Sequence, residues 1–329
     1  MKKNILVTRR VFDSVLERLR MHFEVDTNQD DLIWSKAELI ARLQGKDGAF
    51  ITASERIDAE LLDACPQLRA VCNMAVGYNN IDLDACTARG VLASNTPDVL
   101  TETTADFGFA LMMAAARRMA EGEHFLRRGE WDKWTVDLLA GSDIHGSTLG
   151  LLGMGRIGRA IAKRGALGFG MQVIYHNRSR LAPELEQESG ARYVSKEALM
   201  QQSDHLLLVL PYSPAVHHMI GAAEIALMKP TATLTNIARG GVVDEVALAD
   251  ALRKHQIAAA GLDVFEGEPA VNPVLLTLPN IVLTPHIASA TVKTRLAMAD
   301  LAADNLIAVL TGGVPPTPLN GQVLQADLA

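Results

Sequence analysis

Thr148-Leu149-Gly150-Leu151-Leu152-Gly153-Met154-Gly155-Arg156-Ile157-Gly158 is the stretch that decides the fold. Its first five residues form a short apolar run that reads as a buried strand. A helical pattern follows to about Leu167. A glycine triplet alone says little, but a strand before it and a helix after it make a dinucleotide-binding turn. Gly153 allows the tight turn, Gly155 lets a pyrophosphate reach the backbone, and Gly158 lets helix and strand pack closely. The phosphates would sit at the helix N-terminus beside Arg156 and Ile157, where unpaired N–H groups favour anions.

Downstream, residues 173–175, 205–210, 232–237, 259–264 and 281–284 read as further strands, most of them separated by helical patterns. Right-handed crossovers make such an array a doubly wound parallel sheet. Upstream, residues 4–7, 49–51 and 70–72 are strands of a smaller α/β unit. A helix from Thr101, its expected cap, to about Gly122 is apolar nearly all round. Such a helix is buried, either in its own core or against another subunit. After Thr291 a long amphipathic helix runs to about Leu310 and has no strand left to pair with. It is therefore expected to return to the first unit. The fold expected is two Rossmann-like α/β domains, a cofactor domain inserted into a flavodoxin-like substrate domain. The boundaries expected are 1–98 with 288–329 for the substrate domain and 99–287 for the dinucleotide domain.

The whole chain of 329 residues suits two domains. A net charge of −7 gives no basic footprint for nucleic acid. No stretch approaches the ~18 uninterrupted apolar residues of a membrane span. Cys65, Cys72 and Cys86 are odd in number and form no C-x-x-C pair, which suits a reducing compartment. The apolar run after the basic N-terminus ends too early for a signal peptide. A cytoplasmic protein is expected.

The end of the second cofactor strand reads His176-Asn177-Arg178-Ser179-Arg180, with no acid before Glu184. An acid there would bind a ribose hydroxyl and repel a 2′-phosphate. Arg178 and Arg180 could instead pair with that phosphate, so NADPH is expected over NADH. Arg239, Glu268 and His286 each lie just past a strand, on the ligand-binding edge. Arg239 offers two parallel donors to an oxoacid. A carboxylate beside a histidine holds one tautomer and favours the imidazolium, which can protonate a ketone oxygen as hydride arrives. His217-His218 has no carboxylate or cysteine at ligand spacing, so no metal is expected.

These segments, with Val76-Gly77-Tyr78-Asn79-Asn80-Ile81-Asp82 and the runs 236–240 and 263–269, resemble the D-2-hydroxyacid dehydrogenase family. The resemblance is nearest to bacterial 2-ketogluconate, glyoxylate and hydroxypyruvate reductases. Asn79 departs from the Asp common in that loop. The resemblance implies that Arg239 binds a small 2-oxoacid, that Glu268 orients His286, and that His286 is the proton donor. It implies that the N–H groups of Val76 and Gly77 hold the substrate carboxylate. Thr104, Ile237, Arg239 and Asp263 would line the nicotinamide, and Pro211 would border the adenosine. Leu210, Ala238, His286 and Ser289 complete the expected cofactor contacts, with Asn177 and Ser179 beside the two arginines. Leu100 would shape the substrate pocket, and Trp134 would reach a partner's substrate mouth in a homodimer. Trp131 and Trp134 otherwise read as hydrophobic anchors of the connecting segment. Rival expectations are a 3-phosphoglycerate or D-lactate dehydrogenase of the same family, or a dinucleotide-sensing interaction protein like a corepressor.

Overall fold

The computed structural model describes residues 2–326. The chain divides into two compact units, residues 1–100 with 290–329, and residues 101–289.

The first unit begins β1 (Asn4–Val7), α1 (Asp13–His22), β2 (Glu24–Thr27), α2 (Lys36–Leu43) and β3 (Gly48–Ile51). It continues with α3 (Ala59–Ala64), β4 (Ala70–Asn73), α4 (Leu83–Ala88) and β5 (Leu92–Ser94). All pairings are parallel, in the order β2-β1-β3-β4-β5, which is the flavodoxin-like winding. The inner strands β3 and β4 are buried at every residue, as a sheet covered on both faces requires. The sequence pattern missed β2 and β5. β2 is an edge strand with exposed and half-buried residues alternating, so it lacks an apolar run. β5 spans only three residues.

The second unit opens with α5 (Thr101–Ala116) and α6 (Met119–Arg127). The single helix expected to Gly122 is broken, because Arg118 takes a left-handed φ of 52°. The carbonyl of Ala116 accepts from Ser142 N–H, which diverts it from the next helical turn. Thr101 is the first helical residue rather than a cap outside the helix. The burial of α5 has its cause within its own unit: Ala105, Phe109, Met112 and Ala116 pack with Leu149, Leu151 and Tyr175. No residue of α6 is buried.

Next come β6 (Thr148–Leu152), α7 (Arg156–Lys163), β7 (Gln172–His176), α8 (Pro183–Ser189), β8 (Ala191–Tyr193), α9 (Lys196–Gln202) and β9 (His205–Leu208). They are followed by α10 (Ala222–Ile225), β10 (Thr233–Asn236), α11 (Glu245–Arg253), β11 (Ala259–Leu262) and β12 (Ile281–Leu283). The seven-stranded parallel sheet runs β12-β11-β10-β9-β6-β7-β8. Its winding reverses between β6 and β9, the switch point where open α/β sheets bind ligands. The short edge strand β8 was not foreseen, since only Ala191 of its three residues is buried.

The chain then returns to the first unit as α12 (Val292–Thr311), capped by the side chain of Thr291 and ended by Gly312 at φ 83°. Ala299, Ala302, Ala303, Leu306 and Leu310 pack with Ile5, Phe50 and Cys72. The small alanines permit close approach, and a Cβ on Gly48 would lie 2.8 Å from Leu306. Part of the Pro-rich tail is pinned along β5: Ala93 N donates to Asn320 Oδ1 at 2.8 Å, and Thr317 Oγ1 donates to Asn95 O at 2.6 Å. The edge strand is thereby covered. Among the described residues no helix is long and apolar enough to cross a membrane.

Candidate active site

The glycine turn leaves β6 at the switch point. Gly153 has φ 102°, and a Cβ there would sit 2.5 Å from the Val209 carbonyl oxygen after β9. A Cβ on Gly158 would meet the Gly153 carbonyl oxygen at 2.4 Å. Both positions therefore exclude a side chain. Gly155 differs: a Cβ there would meet nothing within 4 Å. The absent side chain leaves open space over the N-terminus of α7, where a pyrophosphate can approach. Asn177 Oδ1 accepts from Met154 N–H at 2.8 Å and ties the end of β7 to the turn. On α5, the hydroxyl of Thr104 is buried without a hydrogen-bond partner. A buried hydroxyl without a protein partner fits a bound polar ligand. The open Gly155 backbone and the Thr104 hydroxyl together fit a dinucleotide.

The basic loop after β7 corrects one expectation. Arg180 makes a bidentate ion pair with Glu186, at 2.9 and 2.7 Å, and so is committed within the protein. Tyr175 Oη donates to the same carboxylate at 2.6 Å. Arg180 first, and Tyr175 second, pull the Glu186 carboxyl down to about 2. Glu186 is thus a neutralised acid, and the loop keeps its basic character. Ser179 and Arg178 are exposed, and Arg178 forms no ion pair among the described residues. Leu210 is half-buried and Pro211 exposed just past β9.

Arg239, Glu268 and His286 come from the turns after β10, β11 and β12. His286 Nδ1 and Glu268 Oε2 are 2.7 Å apart, and Phe265 N–H donates to Glu268 Oε1 at 2.9 Å. Burial raises the Glu268 carboxyl, but the His286 bond and the His286 charge outweigh it, so the net shift is downward. Arg239 and Glu268 attract each other electrostatically, which supports a guanidinium otherwise penalised by burial. Asn236 shapes the arginine turn: its Nδ2 donates to Arg239 O at 3.0 Å and its Oδ1 accepts from Ala238 N–H at 2.9 Å. Gly240 is obligatory, since a Cβ would sit 1.8 Å from the Phe265 carbonyl oxygen.

Asp263 has a role that residue spacing did not reveal. It is fully buried, and its carboxylate accepts from Thr284 Oγ1 (2.8 Å), Ile287 N–H (2.8 Å) and Ala288 N–H (2.9 Å). Its carbonyl accepts from His286 N–H at 2.9 Å. Burial, the largest influence, leaves the carboxyl above its ordinary range despite these bonds. The turn so held places His286 at φ 52°, a left-handed conformation that non-glycine residues seldom adopt. Ile237 and Ala238 are buried and Ser289 is half-buried in the same unit.

In the first unit, Asn95 Nδ2 donates to Val76 O at 2.7 Å and Asn73 Nδ2 to Gly77 O at 3.0 Å. The carbonyls are bound from the core side, while the N–H groups of Val76 and Gly77 donate to nothing among the described residues. Sequence reading missed both asparagines, although an asparagine at a strand end commonly holds a turn. Leu100 is 4% exposed and belongs to the interior. Trp131 is 55% and Trp134 76% exposed, so neither anchors the connecting segment to a core. His217 and His218 also differ from expectation, because Glu266 folds against them.

Known proteins resemble this chain over nearly its full length. The model of the D-isomer specific 2-hydroxyacid dehydrogenase NAD-binding domain matches residues 109–288. The glyoxylate reductase of Thermococcus onnurineus (strain NA1) is 48% identical over 328 residues, 98% of each chain. That of Pyrococcus furiosus is 44% identical, covering 99% of this chain and 97% of its own. An NADPH-dependent glyoxylate/hydroxypyruvate reductase from Sinorhizobium meliloti, solved with NADP and malonate, superposes with a TM-score of 0.87 at 36% identity over 98% of each chain. The chain belongs to the D-isomer specific 2-hydroxyacid dehydrogenase family and is an NAD(P)-dependent oxidoreductase with two parallel-sheet α/β units.

Proposed function

We propose that this enzyme reduces glyoxylate to glycolate with NADPH, and takes hydroxypyruvate and 2-ketogluconate as further 2-oxoacids. The observation that carries the reading is the 2.7 Å bond between Glu268 and His286 on the ligand edge of the cofactor sheet. The names of the relatives, glyoxylate reductases along their whole length, supply the substrate.

The dinucleotide, when bound, supplies the hydride. With Nδ1 engaged by Glu268, the other ring nitrogen of His286, Nε2, is the one that carries the proton for the carbonyl oxygen. Glu268 holds the ring in place and keeps it in one tautomer. The Arg239 guanidinium holds the oxoacid through its planar fork, and burial strengthens that attraction by excluding water. In the first unit, Val76 and Gly77 act as anion donors whose carbonyls are already occupied by Asn95 and Asn73. Gly153, Gly155 and Gly158, with Arg156 and Ile157, cradle the pyrophosphate. Thr104 and Asp263 serve the nicotinamide.

NADPH preference rests on Arg178, since Arg180 is paired with Glu186. The test is glyoxylate reduction followed with each cofactor. The expected result is a higher kcat/KM with NADPH than with NADH. Arg178→Ala is expected to lower the NADPH value by about tenfold or more, the loss of one charge-assisted bond, with the NADH value little changed. A clear NADH preference in the native enzyme would defeat the cofactor assignment. Absence of glyoxylate turnover with either cofactor would defeat the substrate assignment.

A further inference from the structure

Outside the catalytic residues, one cluster pairs metal-ligand chemistry with a built geometry. We infer that His217, His218 and Glu266 form a binding site for a divalent transition-metal ion, of which zinc is the type. Their donor atoms, two imidazole nitrogens and a carboxylate oxygen, lie within 4.8 Å of one another. His218 Nε2 is 2.8 Å from Glu266 Oε2, and His217 Nε2 is 3.8 Å from Glu266 Oε1.

Neighbouring residues in an extended segment point to opposite sides. Here the two imidazoles stack, with centroids 4.0 Å apart and planes inclined by 19°. The cause is His218, at φ 50°, whose N–H is held by the Gly241 carbonyl oxygen at 2.7 Å. A strained non-glycine residue persists only where its surroundings enforce it. His217 Nδ1 meets the Tyr212 hydroxyl at 3.1 Å, which leaves Nε2 turned to Glu266. A hydrogen bond on the nitrogen that does not bind metal is the usual companion of a histidine ligand. Glu266 is fixed too, because its N–H donates to the buried Glu245 carboxylate at 2.7 Å.

The charge around the cluster has the sign a cation needs. A cavity of about 380 Å³ beside it is lined by His218, Asp244, Glu245 and Glu266, three carboxylates against one imidazole. Two imidazoles and a carboxylate select zinc, nickel or copper over calcium or magnesium, which require more oxygen ligands. Tetrahedral zinc with bonds of 2.0–2.1 Å needs donors roughly 3.3 Å apart, with water in the fourth position. The rings must turn slightly to reach that spacing. Side-chain exposures of 42% and 39% give them room. The inference does not rest on the proposed reaction, since none of the three ligands is assigned to it.

The test is a titration of the full chain with cobalt(II) and zinc, followed by the visible absorption of tetrahedral cobalt and by calorimetry. One equivalent is expected to bind the native protein. His218→Ala and Glu266→Gln are each expected to weaken binding at least tenfold, with the folded far-ultraviolet spectrum kept. His286→Asn is expected to bind normally. Unchanged affinity in both cluster variants, loss of the cobalt band in His286→Asn, or no binding by the native chain would overturn the site.

Discussion

His286→Ala is expected to lower kcat for glyoxylate by about 10²–10⁴-fold, while the Kd for NADPH changes less than about twofold. The asymmetry follows from the position of the side chain. His286 bonds Glu268 through Nδ1, and its ring completes no hydrophobic core cluster. Removing it deletes the proposed proton donor and leaves the glycine turn untouched. Glu268 sets the acid limit of the same pair. Burial opposes its charge, but His286, Phe265 N–H and Arg239 together hold its carboxyl below the ordinary value. The stabilisation from that shift is complete above the ordinary carboxylate range and disappears as pH falls through the lowered value. Steady-state kinetics with fluorescence titration of NADPH checks the result. Near-normal turnover would remove His286 from proton transfer.

Asp263→Ala is expected to cost about 2 kcal/mol of stability or more, because each donor left unsatisfied away from water costs about 1–3 kcal/mol. Two are left, the N–H groups of Ile287 and Ala288, while the Thr284 hydroxyl keeps the Leu262 carbonyl oxygen at 3.4 Å. The same bonds hold His286 at φ 52°, so kcat should fall with stability. Asp263→Asn is the graded control, because its amide keeps one acceptor oxygen but presents N–H to one of the former donors. Urea denaturation read beside kcat should order the proteins native, Asn, Ala on both scales. An Ala variant as stable as the native chain would show that Asp263 does not build the turn.

The site was legible in the sequence wherever the requirement is local. Gly153 must adopt φ 102°, and only glycine does so freely. The buried strands announce themselves as apolar runs, and α12 as a long amphipathic period ended by Gly312. Strands β2 and β8 were lost because an edge strand is half-exposed and carries no such run. Arg118 broke an expected helix because a carbonyl was taken by Ser142, 26 residues after Ala116, and no helical period records that.

Residue types near strand ends singled out Arg239, Glu268 and His286 as candidates, yet spacing could not say that two of them touch. Their contact spans 18 residues, and the Glu266–His218 contact spans 48. Arg180 shows the opposite case, a residue free to meet a phosphate by sequence and committed to Glu186 by packing. By itself, then, the sequence determined the doubly wound cofactor sheet, its phosphate turn and the identity of the chemical groups, because dihedral limits and hydrophobic period act over a few residues. Tertiary structure alone decided which donor meets which acceptor, because those distances depend on how separate strands are registered in one sheet.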